Sequence, residues 1–267
     1  MKIDNCKLKI LIISEGNIMS GHSKWSQIKR QKGVADKKKG QSFSKLSTQI
    51  SLAARSGEPE TNLRLRLILD QARKVNMPSA SIQRAIDRGL GKIAGQKIEE
   101  FIYETYGPSG TAFLIEAATD NRNRTTSEIK SILSKNGGKL AESGSVKYLF
   151  EQSGEIVANT GDNNEDELML AAIDAGAKDI QQDPEGKILI IQTAPGDLQK
   201  VKENLEKTGA IIEEAKLTFH PKSTVYIDNR NDASKILNLS NHLEEIDEVI
   251  GLSSNFDIKE DILESFL

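Results

Sequence analysis

The sequence predicts an α+β fold, in which a basic helical N-terminal domain precedes two ferredoxin-like α/β domains, one inserted in the other. Three observations predict it. Apolar residues recur every three or four positions up to about residue 94, strand and helix patterns alternate after Gly95, and the charge changes sign between the two regions. The expected domains are residues 19–94, residues 95–152 together with 223–267, and the inserted residues 153–222.

The composition of the 267-residue chain excludes several classes of protein. A hydrophobic share of 37% is enough for packed cores, and no apolar run reaches the length of a membrane-spanning helix. The single cysteine, Cys6, excludes an intrachain disulfide and a cysteine-ligated metal cluster, and the three histidines are far apart in sequence. We therefore expect a cytoplasmic protein with no membrane partner, no metal and no cofactor.

The charge of the chain is strongly asymmetric. Residues 20–92 contain sixteen Lys and Arg against five Asp and Glu, a net charge of +11, whereas residues 93–267 contain seventeen against thirty-two, a net charge of −15. A basic region of this density favours binding to a polyanion, and release of counterions from a phosphate backbone would supply the affinity. The candidate phosphate contacts are Lys24, Lys29, Arg30, Lys32, Lys37, Lys38, Lys39, Arg64 and Arg66.

Helical periodicity predicts three helices in the basic region. The first covers residues 42–56 and the second residues 61–76, and Ser79 is the expected N-cap of a third that closes at Gly89. The lysine-rich segment before them has few apolar residues and predicts a cationic arm or a weak helix. Within that arm, we expect Trp25 to pack on the first helix. The alternative is that the ring of Trp25 or His22 stacks on an unpaired base.

Strand and helix patterns in the rest of the chain predict the two α/β domains. A hairpin turns at residues 107–110, Asp120-Asn121 caps a helix over 122–135, and residues 146–150 are predicted to form a strand. Residues 155–219 then follow the order strand, helix, strand, strand, helix, strand, which is the split βαβ order of a ferredoxin-like fold. Two further strands and a helix between residues 224 and 255 complete the first α/β domain.

The sequence contains no complete catalytic or ligand-binding motif of the kinds considered below. The glycines at 89, 91 and 95 follow a helix instead of a strand, and Gly137-Gly138-Lys139 lacks the rest of a phosphate-binding loop. Nucleophile-elbow and zincin motifs are absent, and the acidic clusters are typical of solvated surfaces. For Arg122-Asn123-Arg124 at a helix N-terminus, two interpretations stay open: an anion site, or polar surface beside a cap.

Several segments are similar to one known family. They are Met19-Ser20-Gly21-His22-Ser23-Lys24-Trp25, Asn62-Leu63-Arg64-Leu65-Arg66, Asn76-Met77-Pro78, Ile82-Gln83-Arg84-Ala85-Ile86, Tyr103 to Gly110, Asp120 to Thr125, Gly144-Ser145-Val146 and Asn255-Phe256-Asp257. Together they make residues 19 to about 258 resemble the YebC/PmpR family, which has a mitochondrial translational activator among its relatives. Residues 1–18 fall outside the resemblance and look like neither a signal peptide nor a transit peptide, so translation is predicted to begin at Met19.

The resemblance implies a three-domain cytoplasmic factor in gene expression, with no established catalytic residues. It also implies that Gly21, His22, Ser23, Lys24 and Trp25 belong to a tip that faces nucleic acid. Members of the family are described as probable transcriptional regulators that bind DNA, and others associate with the ribosome and ease the synthesis of difficult stretches such as proline runs.

The hypothesis is therefore a non-enzymatic, DNA-binding regulator of transcription. The alternative is a translation factor that binds ribosomal RNA and relieves stalling. A third hypothesis, an enzyme with a cleft in the α/β part, has only the acidic residues in its favour.

Overall fold

A computed structural model describes Trp25 and residues 39–93, 97–161, 163–182 and 187–266. Its helices are α1 (Lys39–Ala54), α2 (Leu63–Lys74), α3 (Ser79–Gly89), α4 (Arg122–Lys135), α5 (Glu165–Ala175), α6 (Leu198–Lys207), α7 (Arg230–Glu245) and α8 (Glu260–Glu264). Its strands are β1 (Glu99–Tyr106), β2 (Ala112–Thr119), β3 (Lys139–Leu140), β4 (Phe150–Asn159), β5 (Ala177–Gln182), β6 (Ile188–Thr193), β7 (Ile211–Pro221), β8 (Val225–Ile227), β9 (Val249–Ser254) and β10 (Phe256–Ile258). The α+β class is confirmed.

The chain divides into two compact units. One comprises residues 152–218, and the other comprises the described residues of Ser20–Glu151 and Phe219–Leu267. Since β9 pairs with β2 across the whole inserted segment, the larger unit is built from two separated stretches of sequence. The separation of its helical part from its α/β part into two domains stays a prediction.

The helical part of the larger unit has its own apolar core. It contains Ile50 of α1, Leu65 and Leu69 of α2 and Ala85 of α3. The Asn62 side chain caps α2 by accepting a hydrogen bond from the backbone N–H of Leu65. The predicted cap of α3 was wrong, because Pro78 is the N-cap residue and no side chain bonds the first turn.

Helices α1 and α3 approach each other closely. The Ser51 hydroxyl lies within hydrogen-bond distance of its own helix at Ser47 O (2.9 Å) and of α3 at Ala85 O (2.8 Å). A methyl group added to Gly89 would lie 2.8 Å from the Cβ of Ala54 and closer still to the carbonyl oxygen of Ser51. The glycine therefore permits this helix contact, in addition to ending α3.

The α/β part of the larger unit contains a four-stranded sheet in the order β3-β1-β2-β9. Strands β1 and β2 form the predicted antiparallel hairpin, and β9 runs antiparallel to β2 on the other side. The side chain of Asn121 caps α4, as predicted, by accepting from the N–H of Arg124. Helices α4 and α7 contribute Ile129, Leu133, Ile236 and Leu239 to the core that covers the sheet.

The predicted strand over residues 146–150 was wrong. Residues Lys147–Leu149 form a 3-10 turn, and β4 begins only at Phe150. The cause is Glu104 on β1, whose carboxylate accepts the backbone N–H groups of Gly144 (2.6 Å), Val146 (2.6 Å) and Lys147 (2.8 Å). These N–H groups are not free to pair with a neighbouring strand.

The smaller unit, residues 152–218, contains the second four-stranded sheet. Its order is β5-β6-β4-β7, and β6 is antiparallel to both β4 and β5. With α5 and α6 as the connecting helices, the chain follows the predicted split βαβ order. The two helices pack on each other and bury Leu168, Ala172, Val201 and Leu205.

Candidate nucleic-acid interface

The predicted nucleic-acid-binding residues are only partly covered by the structure. Lys39 is the first residue of α1, and the side chains of Trp25, Arg64 and Arg66 are described. The remaining predicted residues lie outside the described part of the chain: Gly21, His22, Ser23, Lys24, Lys29, Arg30, Lys32, Lys37 and Lys38.

Trp25 is a core side chain. It is 8% exposed and belongs to the apolar cluster that includes Phe113 of β2 and Leu239 of α7. Its indole N–H points to the side-chain oxygen of Asn241 on α7, at 3.4 Å. The packing interpretation therefore holds, but the partner is the α/β core and not the first helix. The ring has no free face for a base, which corrects its assignment to a nucleic-acid-facing tip.

Arg64 is held in an ion pair. Its guanidinium donates two hydrogen bonds to the carboxylate of Glu100 on β1, at 2.9 and 2.5 Å. These bonds raise the pKa of Arg64, although partial burial acts in the opposite direction. Because Glu100 balances its charge, Arg64 is a poor candidate for phosphate contact, contrary to the prediction.

Arg66 is also engaged, but by neutral groups. It donates to the carbonyl oxygens of Pro59 (3.2 Å) and Glu60 (2.7 Å), in the loop before α2. These neutral groups do not balance the positive charge of Arg66, and its N–H donors hold the loop. Arg64 and Arg66 are thus on the same helix but have different roles.

Two arginines absent from the predicted phosphate contacts are better placed. Arg84 and Arg88 are four residues apart on α3, so they lie on one face of the helix about 6 Å apart along its axis. Within the described residues neither has an ion-pair partner. The acid between them, Asp87, accepts from Gln83 (3.1 Å) and pairs with Lys92 (3.6 Å). The i, i+4 spacing of Arg84 and Arg88 can be read from the sequence, whereas the ion pair between Arg64 and Glu100 cannot.

The arginines at the start of α4 are engaged as well. Arg124 pairs with Asp120 at 3.1 Å and with Glu248 at 2.7 Å, and the guanidinium of Arg122 lies 4.8 Å from the centre of the Phe101 ring. The hydrogen bond to Glu248 is the main cause of the raised pKa of Arg124. An anion at this helix terminus would compete with two carboxylates, which favours the polar-surface interpretation.

The described residues contain neither a metal-binding cluster nor a membrane-spanning helix. No group of three or more His, Cys, Asp and Glu side chains is arranged to hold a metal ion. Among the helices that the structure describes, none combines the length and apolar composition that crossing a bilayer requires.

Comparison with known proteins assigns the chain to a family. Residues 23–92 match the model of the TACO1/YebC protein N-terminal domain, and residues 98–256 match that of the TACO1/YebC second and third domain. The chain belongs to the TACO1/YebC family. The resemblance seen in the sequence motifs is thereby confirmed.

Its relatives in the TACO1/YebC family are named as regulators. A probable transcriptional regulatory protein of Aquifex aeolicus is 48% identical over 248 residues, which are 92% of this chain and 99% of the relative. A protein of the same description from Halothermothrix orenii is 46% identical over 250 residues, covering 92% and 98% of the two chains.

A solved structure supports the same assignment. The crystal structure of a conserved hypothetical protein from Aquifex aeolicus superposes with a TM-score of 0.78 at 47% sequence identity. The match covers 84% of this chain and 93% of the other. The TACO1/YebC architecture therefore extends over most of the chain.

Proposed function

We propose that this chain is a non-enzymatic, nucleic-acid-binding regulator of gene expression that works in the cytoplasm, with DNA as its target. The observation that carries the proposal is the charge asymmetry, +11 over residues 20–92 against −15 over residues 93–267. A polyphosphate is attracted more strongly to the first region than to the second, which is acidic on average, so the charge also orients the protein on its target.

The affinity would come mainly from the phosphate backbone. Lysine and arginine side chains displace condensed counterions, and the entropy of their release drives binding without base recognition. The arm residues Lys24, Lys29, Arg30, Lys32, Lys37, Lys38 and Lys39 remain the proposed phosphate contacts. From the helical part we add Arg84 and Arg88 in place of Arg64 and Arg66, because the latter two are engaged within the protein.

The names of the relatives support a regulatory role. Both the Aquifex aeolicus and Halothermothrix orenii proteins are described as probable transcriptional regulatory proteins. The failed search for catalytic motifs agrees with a regulator that is not an enzyme.

The experiment that tests the target is crosslinking in cells followed by sequencing of the bound DNA and RNA, with sedimentation of the same lysate. We expect crosslinks to DNA and a protein that does not travel with ribosomes. Crosslinks confined to ribosomal RNA, with co-sedimentation in the ribosomal fraction, would replace the DNA proposal with the translation-factor alternative. Absence of crosslinks to either polymer would contradict nucleic-acid binding altogether.

A further inference from the structure

One aromatic side chain of the α/β part is held out into solvent. Tyr148 lies in the 3-10 turn Lys147–Leu149 and is 65% exposed, the largest value among the large hydrophobic side chains that the structure describes as exposed. The residues two positions before and after it are buried, since Val146 is fully buried and Phe150 is 5% exposed.

The backbone that carries Tyr148 is fixed from several directions. The buried carboxylate of Glu104 accepts the N–H groups of Gly144, Val146 and Lys147. The hydroxyl of Tyr106 donates to Ser145 O at 3.0 Å. These bonds fix the backbone of the turn, and the Tyr148 side chain that this backbone carries is exposed to solvent.

Two lysines lie close to the backbone of Tyr148. Lys147 precedes it in sequence and is exposed, and the ammonium group of Lys222 donates to the carbonyl oxygen of Tyr148 at 2.9 Å. The nearest acids in sequence are Glu142 and Glu151, six and three residues away. Proteins hold single-stranded nucleic acid with exposed aromatic rings that have cations nearby, and Tyr148 with these two lysines offers both groups.

The other highly exposed tyrosine of this unit has different surroundings. Tyr226 on β8 is 60% exposed, and its partner in the parallel pairing with β10 is Asp257. Asp228 follows two residues later. Lys259 also lies close to Tyr226 and Asp228, so Tyr226 offers a ring of similar exposure in surroundings of mixed charge.

We propose that Tyr148 is a stacking platform for an unpaired base, with Lys147 and Lys222 contacting the phosphates beside it. The proposal rests on the proposed nucleic-acid binding and adds that the bound region is single-stranded at this point. A base presents a planar face to any aromatic ring, so the platform recognises an unstacked base without selecting its sequence.

The test uses full-length protein and fluorescein-labelled 12-nucleotide single strands, both RNA and DNA, in fluorescence anisotropy titrations. A blunt duplex of the same sequence serves as a second probe. We expect Tyr148→Ala to weaken single-strand binding about tenfold and duplex binding less than twofold. Tyr148→Phe should retain most of the affinity, because a phenyl ring also stacks. Tyr226→Ala, the matched control, should change neither.

The salt dependence separates stacking from phosphate contact. Lys147→Ala should reduce the slope of log K against log[salt] by about one, whereas Tyr148→Ala should lower the affinity with the slope unchanged. If Tyr148→Ala binds single strands as the wild type does, the platform is refuted. If the wild type binds no oligonucleotide at all, the proposed function fails, and the platform fails with it.

Discussion

Arg64 on α2 and Glu100 on β1 form a two-bond ion pair that joins the helical part of the chain to the sheet of the same unit. One of the predicted phosphate contacts is thus neutralised by the protein itself. Three other helical side chains donate to backbone carbonyl oxygens of the same α/β part: Lys45 to Glu244 O at 2.5 Å, Gln49 to Ile250 O at 3.0 Å and Arg55 to Ile98 O at 2.6 Å. Charge on the helical part is therefore divided between internal contacts and residues that face solvent.

The first prediction concerns which arginines contact phosphate and which are engaged within the protein. Replacing Arg84 and Arg88 together by Ala should reduce the slope of log K against log[salt] by about two for a duplex, because each removes about one phosphate contact. Arg64→Ala should change that slope by less than 0.5, while costing at most about 1 kcal/mol of stability, as expected for a partly exposed ion pair. If Arg64→Ala reduced the slope as much as the double variant does, the assignment of Arg84 and Arg88 as phosphate contacts would be contradicted.

The second prediction concerns Glu104. Its side chain is 6% exposed and accepts three backbone N–H bonds, so Glu104→Gln should destabilise the fold by about 1–3 kcal/mol at pH 7. The amide group of glutamine can keep some of these bonds but not all, since its nitrogen donates. Chemical unfolding in urea measures the difference, and a variant as stable as the wild type would contradict the role of the carboxylate.

The third prediction gives the pH dependence of the same residue. Burial alone would raise the pKa of Glu104, but the backbone bonds from Gly144, Lys147 and Val146 outweigh it and the pKa is lowered. A lowered pKa in the folded state means that the stabilisation is complete above the unfolded value of about 4.3 and is lost as the pH falls through the folded pKa. The stability gap between wild type and Glu104→Gln should therefore shrink below about pH 4. A gap that stays constant down to pH 3 would contradict this.

The fourth prediction tests the contact between α1 and α3. Gly89→Ala should destabilise the chain by about 1–3 kcal/mol through overpacking against Ser51 and Ala54, although alanine is the better helix former. Gly196→Ala is the matched control, since a Cβ there would meet nothing within 4 Å. Thermal unfolding of both variants measures the effect, and a stabilised Gly89→Ala would show that the helices can separate at little cost.

The fifth prediction uses Trp25, which is the only tryptophan of the chain. Because it is 8% exposed within the α/β core, its emission should resist quenching by acrylamide and stay unchanged when an oligonucleotide is added. Fluorescence titration with an unlabelled single strand measures this directly. Strong quenching of the emission by the oligonucleotide would favour the alternative in which the Trp25 ring stacks on an unpaired base.

Much of the fold could be predicted because it depends on local patterns. The three helices of the basic region, the hairpin β1-β2 and the strand and helix order of residues 152–218 all follow from periodicity and turn residues. The Asn121 cap could be predicted for the same reason, since a cap bonds an N–H only three residues away.

Apart from the N-cap of α3, the errors in the prediction have a common physical origin in contacts between distant residues. Trp25 packs against a helix more than two hundred residues away, and Glu104 captures a turn forty residues later, where the sequence alone indicated a strand. Likewise, nothing in the spacing of Arg64 revealed that Glu100 would neutralise it. Charge density could therefore identify the basic region, but not which of its cations are free.

The measurement that tests the central claim most directly is the affinity of the full chain for a duplex oligonucleotide as a function of salt concentration. If about five cations of residues 20–92 contact phosphate, log K should fall with log[salt] at a slope near −4. An affinity that does not change with salt would contradict the claim that this region binds the nucleic-acid backbone.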